Sequence, residues 1–553
     1  MSDAEQRRRD FLKTLLATVA AGTLDWDSLP VGNAAALGEG QFDAVIIGSG
    51  LGGLSCAAAF ARQGFKAVVL EQHDKPGGYA TSFQRPGGFE FDVSLHSTGV
   101  GERNGLHNLI SGFPEITEIE FVPHPSLYRA IFPNHDIRVP NRNLPGYIDL
   151  LTKSFPAEAE GIKAVFEELN GVNQDFGRLF SKKGNVDMNR FPAEYPHLFR
   201  FSGNTWGQIV DAKIRDAKLK AIISSLWVYY GLPPSKLASV YYGPPTFSYL
   251  TGGGYYPKGR SQTISNALVS FIEARGGKVL LGNRVEKILV KADAAYGVRT
   301  AGGQEYTGKV IVSNANAYDT FHRLLDPDAR NGEHLKDYLV RLNSLSVSLS
   351  SFQIFLGLKR DLVRELGVTD TEIFYYPSYD LEATYEAMRN ADLTNPGFCI
   401  TLYDNLYPGY SPQGKNTINL LTLQGYEPWK QYEADYWKGN KRPYRAEKER
   451  LANLLIRQAE KIIVPGLANA IEVKEIGTPL TNVRYTGNYR GAIYGWDQTL
   501  DNSGARRLPH ATPIKNLYLA GAWTTPGHGY GAVIPSGLQC FGEIMNRWAQ
   551  PGA

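Results

Sequence analysis

The stretch DAVIIGSGLGGLSCAAAFARQGFKAVVLEQ, residues 43–72, constrains this chain more than any other. A short apolar run at 44–47, rich in β-branched residues, predicts a buried parallel strand, and GxGxxG follows at once as Gly48, Gly50 and Gly53. Each glycine meets a separate need. Gly48 permits a tight turn, Gly50 lets a pyrophosphate approach the backbone, and Gly53 lets the next helix pack closely on the strand. Phosphates then sit at a helix N-terminus, where free N–H groups and the positive dipole end favour an anion. Residues 54–62 predict that helix and 66–70 a second strand. Glu71 falls about 20 residues beyond the turn, where a carboxylate can accept from ribose hydroxyls. Strand, glycine turn, helix, strand and acid in this order predict a Rossmann-type dinucleotide cradle in an α/β protein; the competing explanation is a glycine-rich turn with no ligand.

The chain has 553 residues, room for three or four domains, and 43% hydrophobic residues, enough for a sizeable core. A net charge of +3 without a long basic block argues against nucleic acid as a partner. Cys56, Cys399 and Cys540 lie far apart with no CxxC pairing, which disfavours zinc ribbons, other metal sites and a disulfide framework. Cys56 falls in the first helix as a small buried thiol. Neither HExxH nor GxSxG occurs, so metal and serine hydrolases find no support.

At the N-terminus Arg7, Arg8 and Arg9 precede Asp10, Phe11, Leu12 and Lys13, and an apolar run follows at 15–24. Residues 8–13 resemble a twin-arginine export signal, with Arg7 where Ser or Thr is usual. The run is too short to span a bilayer, and Ala34 to Ala36 offer a small-residue cleavage site. Residues 1–36 are therefore expected to be an export signal, and the protein to be periplasmic or membrane-facing. The alternative is a basic amphipathic helix that stays on the protein, for which Asp25 and Asp27 speak. No other stretch is long and apolar enough to predict a transmembrane helix.

Beyond Glu71, residues 74–95 alternate glycine turns with short apolar pieces, and Phe89 to Val93 predict a strand. From 108 to 249 helical periods punctuated by proline dominate, ending in the aromatic stretch SLWVYYGLPPSKLASVYYGPPTFSYL. Residues 262–290 restore α/β character as a helix, a Gly-Gly stop and strands. A second mixed, aromatic region covers 317–470, with helical spacing at 447–463. The expected division is one discontinuous nucleotide domain from 41–107, 250–316 and 475–550, and a substrate domain from 108–249 and 317–474. Nothing in the sequence sets an oligomeric state.

A second glycine turn before a helix, at 521–531, needs its own explanation. A cofactor as long as FAD supplies one, with one turn at the adenine end and the other at the isoalloxazine end; the alternative is a strand-to-helix turn without a ligand. Taken together, Gly48, Gly50, Gly53 and Glu71, the PGG at 76–78, FEFDVSLHSTG at 89–99, GYYPKG at 254–259 and LAGAWTTPGHGYGAVIPSG at 519–537 resemble the phytoene desaturase, carotenoid isomerase and retinol saturase group of flavoproteins. The resemblance covers residues 43–548. It implies a flavin-containing amine oxidase-like two-domain fold, a Rossmann-type FAD-binding domain with an inserted α+β substrate domain, and FAD as cofactor. It assigns Gly48, Gly50, Gly53, Glu71, Gly77 and Gly78 to FAD, Gly521, Ala522 and Gly527 to the flavin end, and the backbone of Val285 to the adenine-proximal strand. Ser94 and His96 follow the FDxGxH pattern of retinol saturase-like members more closely than the FDxGP-like segment of carotenoid desaturases. Trp523 and Thr525 stand where a GAGTHPG-like turn has its second glycine and its histidine.

The group acts on long polyenes by desaturation, saturation or cis–trans isomerisation, so the expected partner is a lipophilic polyene, carotenoid- or retinoid-like, with peripheral membrane contact. The aromatic stretches with Tyr229, Tyr230, Tyr241 and Tyr242 suit an apolar tunnel or a membrane surface, or else ordinary packing. His96, after the strand expected to approach the cofactor, is the candidate catalytic residue, with His528 behind it; Asp92 reads as a buried hydrogen-bonding residue. Two alternatives share the fold: an amine oxidase-type flavoenzyme, and a non-catalytic lipid-binding escort, against which two intact glycine motifs count.

Overall fold

The computed structural model describes residues 26, 29–32, 40–99, 106, 112–113, 115–117, 119–181, 186–187, 189–503 and 506–549. The twin-arginine motif and the alanines at 34–36 lie outside the described residues. Two seven-stranded sheets organise the rest. In the first, Gln41–Ile47 is central, paired in parallel with Ala67–Leu70 on one side and Glu305–Ser313 on the other. Lys278–Leu280 extends the first flank and Leu517–Leu519 pairs in parallel with Glu305–Ser313 on the second. Val285–Lys291 and Ala294–Thr300 add an antiparallel hairpin. Burial on both faces explains the unbroken apolar run of the central strand. Ala44 and Ile46 join the helix-covered core with Phe60, Phe541 and Ile544. Val45 and Ile47 point the other way, into a core with Val285, Phe321 and Trp496.

Two helices lie against each other on that first face. Leu51–Arg62 follows the first glycine turn and Tyr530–Trp548 follows the last. Their approach is closer than side chains permit. A Cβ on Gly537 would stand 2.1 Å from Ser55 Oγ and 2.2 Å from the Gly52 carbonyl oxygen, and one on Gly53 would stand 2.2 Å from the Gly48 carbonyl oxygen.

The second sheet runs in the order Ile471–Gly477, Ser350–Leu358, Asn416–Gln424, Phe398–Thr401, Glu372–Tyr375, Tyr128–Phe132, His135–Val139. It is antiparallel except where Glu372–Tyr375 meets Tyr128–Phe132. That parallel pairing joins the two regions that the sequence places at 108–249 and 317–474. The first of these is not helical at its start: Phe121–Pro123, Tyr128–Phe132 and His135–Val139 are strands. YRAIF alternates buried and half-buried residues, a period-two pattern that the surrounding helical periods masked. Ile471–Gly477 crosses the expected boundary at 474/475 and belongs wholly to the second sheet. Helices Leu144–Ser154, Ala159–Ser181 and Ser239–Gly252 contribute to the core that also holds Tyr128, Phe374 and Cys399. Among the described residues no helix is long and apolar enough to cross a membrane.

Candidate functional site

One continuous cavity of about 770 Å³ runs between the two sheets, within the size range of small-molecule and cofactor sites. Its wall contains Gly48, Gly50, Glu71, Gly77, Gly78, His96, Val285, Gly521, Ala522, Gly527 and His528, so residues nearly 500 positions apart meet in one space. Gly53 does not reach the wall. Its place is behind Gly48, where the missing side chain lets the helix close on the turn.

The turns are built against each other. Gly48 has φ +90°, in the left-handed region that glycine adopts without strain. Asn314, at the end of Glu305–Ser313, fills the space between the first and last turns. A Cβ on Gly50 would stand 2.7 Å from its Nδ2, and one on Gly52 or Gly521 would stand 2.7 or 2.4 Å from its Oδ1. The PGG segment joins from a third side, since Gly77 N–H donates to the Ser49 carbonyl at 3.0 Å. Glu71 is buried and accepts from Ser49 N at 2.8 Å, Ser49 Oγ at 2.6 Å and His73 N at 2.9 Å. The carboxylate thus holds the turn's backbone as well as lining the cavity.

Two helix N-termini open on this space without a side-chain cap. Gly50 is the N-cap of Leu51–Arg62 and Gly529 that of Tyr530–Trp548; neither makes a side-chain cap bond, and residues of both first turns line the cavity. Uncapped N–H groups and the positive dipole end favour negative charge at each. The site therefore fits a long, doubly anionic cofactor in its chemistry as well as in its shape, with glycines where a side chain would close it.

The C-terminal turn is pinned from behind. Arg507, 1% exposed, donates to the Thr524 carbonyl at 2.7 Å, the Ala522 carbonyl at 2.7 Å and Gln498 Oε1 at 2.8 Å. Gln498 Nε2 donates in turn to His528 Nδ1 at 2.7 Å, leaving His528 Nε2–H to donate to the Tyr229 carbonyl at 3.1 Å. Trp523, where the resembling turn has glycine, packs edge-to-face on Trp496 with centroids 4.7 Å apart. Thr525 Oγ1 lies 3.1 Å from His510 Nε2.

The far wall is the inner face of the second sheet. Gln353, Leu421, Cys399 and Phe374 line the cavity, with Val228, Tyr230 and Ile493 beside them. This floor is largely apolar. Two residues along on the same face, Asn419, Thr401 and Glu372 stand side by side on adjacent strands. Thr401 Oγ1 meets His96 Nδ1 at 2.6 Å. Burial presses the His96 pKa down to about 4 and that of His528 to about 3, so both rings are neutral at neutral pH. Asp92 is fully buried, accepts from Ser261 N at 2.8 Å, Ser261 Oγ at 2.6 Å and the Tyr256 hydroxyl, and does not line the cavity.

Depressed histidine pKa values have a consequence for stability. Between the unfolded value near 6.5 and the folded value, the unfolded chain binds the extra proton, so stability is lost as pH falls through that window. His124, buried and also held near 4 by burial, should remove about 3 kcal/mol by pH 4. Burial raises Asp92 and Glu372 and therefore acts in the opposite sense. The histidine part is read by comparing melting curves of wild type and His124→Gln from pH 7 to 4. The variant should lose less stability on acidification; parallel curves would contradict the account.

Sequence motifs led to the glycines, Glu71, Val285 and His96, all of which except Gly53 share the cavity. They did not lead to Asn314, Arg507, Gln498, Thr401 or Glu372. Glu372 left one trace, an acid inside the otherwise apolar strand EIFY.

Comparison with known proteins accords with this geometry. Residues 51–540 match the family described as flavin containing amine oxidoreductase. The all-trans-retinol 13,14-reductase of Danio rerio is 29% identical over 535 residues, covering 92% of this chain and 86% of that protein. Prolycopene isomerase 1, chloroplastic, of an Oncidium hybrid cultivar is 30% identical over 525 residues, covering 91% and 84%. Putrescine oxidase bound to putrescine superposes with a TM-score of 0.59 at 13% identity, over 92% of this chain and 99% of that one, and so shares the fold. The chain belongs to the flavin-containing amine oxidoreductase family, and its cofactor is a flavin.

Proposed function

We propose that this protein is an FAD-dependent oxidoreductase that acts on a long apolar polyene, carotenoid- or retinoid-like, by saturation, desaturation or cis–trans isomerisation. The observation that carries the proposal is the apolar floor of Leu421, Phe374, Val228 and Ile493 in the same cavity as both glycine turns. It is supported by relatives whose names specify retinol and prolycopene, matched over most of both chains.

Gly48, Gly50, Glu71 and Val285 would hold the adenine half, Gly77 and Gly78 would hold FAD beside the first turn, and Gly521, Ala522 and Gly527 would hold the flavin half. Bound there, FAD supplies two-electron chemistry at carbon next to a conjugated chain. The protein's own tasks are to orient the polyene on the floor, exclude water and manage one proton. His96, neutral and anchored to Thr401, is the candidate catalytic residue at the wall of this space, where it would contact the polyene. We further propose that residues 1–36 direct export by the twin-arginine route, which carries folded, cofactor-loaded proteins, and that the mature protein meets its substrate at a membrane surface.

The test is anaerobic incubation of the yellow protein with a polyene panel, followed by product mass. A gain or loss of two hydrogens, or a change in geometry alone, identifies the reaction. Flavin reduction by amines together with inertness to every polyene would overturn the proposal in favour of the amine oxidase reading.

A further inference from the structure

Glu372 is a carboxyl group that the site as described does not use. It is fully buried on the strand Glu372–Tyr375, beside the cavity floor. One oxygen, Oε1, accepts from the Tyr229 hydroxyl and lies 3.7 Å from Cys399 Sγ. The other, Oε2, is buried with no hydrogen-bond partner. An ionised carboxylate is costly in such a place, whereas a carboxylic acid needs only one acceptor, which the Tyr229 oxygen supplies when the shared proton lies on Oε1.

Tyr229 connects this acid to the cavity. Its side chain lies edge-to-face on Phe374 of the floor, centroids 5.4 Å apart, and its carbonyl receives the His528 bond from the C-terminal turn. Tyr229, itself in the cavity wall, thus runs from the C-terminal turn at its carbonyl, across the floor at its ring, to Glu372 at its hydroxyl. Resting on the polyene reading above, we propose that Tyr229, backed by Glu372, delivers the proton when a conjugated double bond is saturated, and removes it in the reverse direction.

The step balances as follows. With Glu372 protonated, its Oε1–H donates to the Tyr229 oxygen and the phenolic hydrogen turns to the substrate; the Tyr229 O–H bond then breaks as a C–H bond forms at the carbon that has gained electron density, and the proton on Oε1 passes to the phenolate oxygen. The second hydrogen and the electron pair come from a reduced flavin, the co-reactant that the polyene reading supplies. Glu372 is left as carboxylate and recovers its proton through Tyr229 from solvent that enters the cavity once product has left. Burial holds the Tyr229 hydroxyl far above the usual phenol range, so it releases its proton only to a strongly basic carbon. Glu372, raised to about 7 by burial, is the stronger acid and refills it. The ionisable groups that feel its charge are Tyr128, Tyr229, Tyr249, Tyr376, Tyr403 and Cys399, all neutral acids.

Tyr229 is thus the catalytic group and Glu372 a positioning residue that sets its proton supply. The test uses flavin-loaded wild type, Glu372→Gln and Tyr229→Phe, with flavin content and polyene binding followed by absorbance. Wild type should show an infrared carboxylic C=O band that titrates near pH 7 and disappears in Glu372→Gln. Its saturation rate should fall as pH rises through 7. Both variants should keep flavin and polyene while losing turnover by about 10²-fold, and Glu372→Gln should lose the pH dependence. Polyene conversion with an unaltered pH profile in Glu372→Gln, or unaltered turnover in Tyr229→Phe, overturns proton delivery and leaves the polyene reading standing. A flavin-loaded wild type that neither binds nor converts any polyene overturns that reading, whatever the infrared band shows.

Discussion

Arg507→Met is expected to release flavin from the purified protein and lower its stability by about 3 kcal/mol. Three buried acceptors, the carbonyls of Ala522 and Thr524 and Gln498 Oε1, lose their donor together. Each orphaned acceptor costs about 1–3 kcal/mol. Part is recovered because the cation itself is unfavourably buried, as the downward push of burial on its pKa shows. The damage then spreads along a defined path, since Gln498 orients His528, and His528 holds the Tyr229 carbonyl. Arg507→Lys, with its charge kept but its fork gone, should fall between the two. Flavin absorbance per polypeptide and melting temperature provide the check; a methionine variant that retains a full complement of flavin would refute the pinning role.

Gly537→Ala in the last helix should be poorly tolerated. The new Cβ would overlap Ser55 Oγ and the Gly52 carbonyl, and the second of these is backbone that cannot rotate aside. Overpacking of this kind costs about 1–3 kcal/mol, and more where the neighbour is main chain. Moving the last helix outward would also draw Gly521 away from Asn314 and open the cradle. Gly177→Ala is the informative contrast. Gly177 lies within Ala159–Ser181 with nothing within 4 Å of its added Cβ, so alanine there should gain about 0.5–1 kcal/mol from helix propensity. Thermal melts of the two variants should move in opposite directions. A Gly537→Ala protein as stable as wild type would show that the helices can part without penalty.

The first cradle was legible because its parts are consecutive: strand, turn, helix, strand and acid lie within residues 41–71, and each has a local signature in periodicity or glycine spacing. The second turn was legible for the same reason. The floor was not. Gln353, Leu421, Cys399 and Phe374 become neighbours only through the register of four strands, which no local pattern encodes. Arg507 and Asn314 escaped notice because an arginine in a loop and an asparagine after a strand are ordinary until tertiary structure gives them three carbonyls or three glycines to meet. The strands at 121–139 were hidden among helical periods, being too short to outweigh the pattern around them.

Asn314 touching both the first and the last glycine turn has a consequence for biosynthesis. The first half of the cradle is synthesised more than 400 residues before one of its walls, residues 517–533. Until those residues leave the ribosome, the groove beside Gln41–Ile47 lacks the surface that closes it. Loading with flavin therefore waits for residues 517–533, and a chain truncated even shortly before residue 517 should emerge colourless, however well its first seventy residues fold.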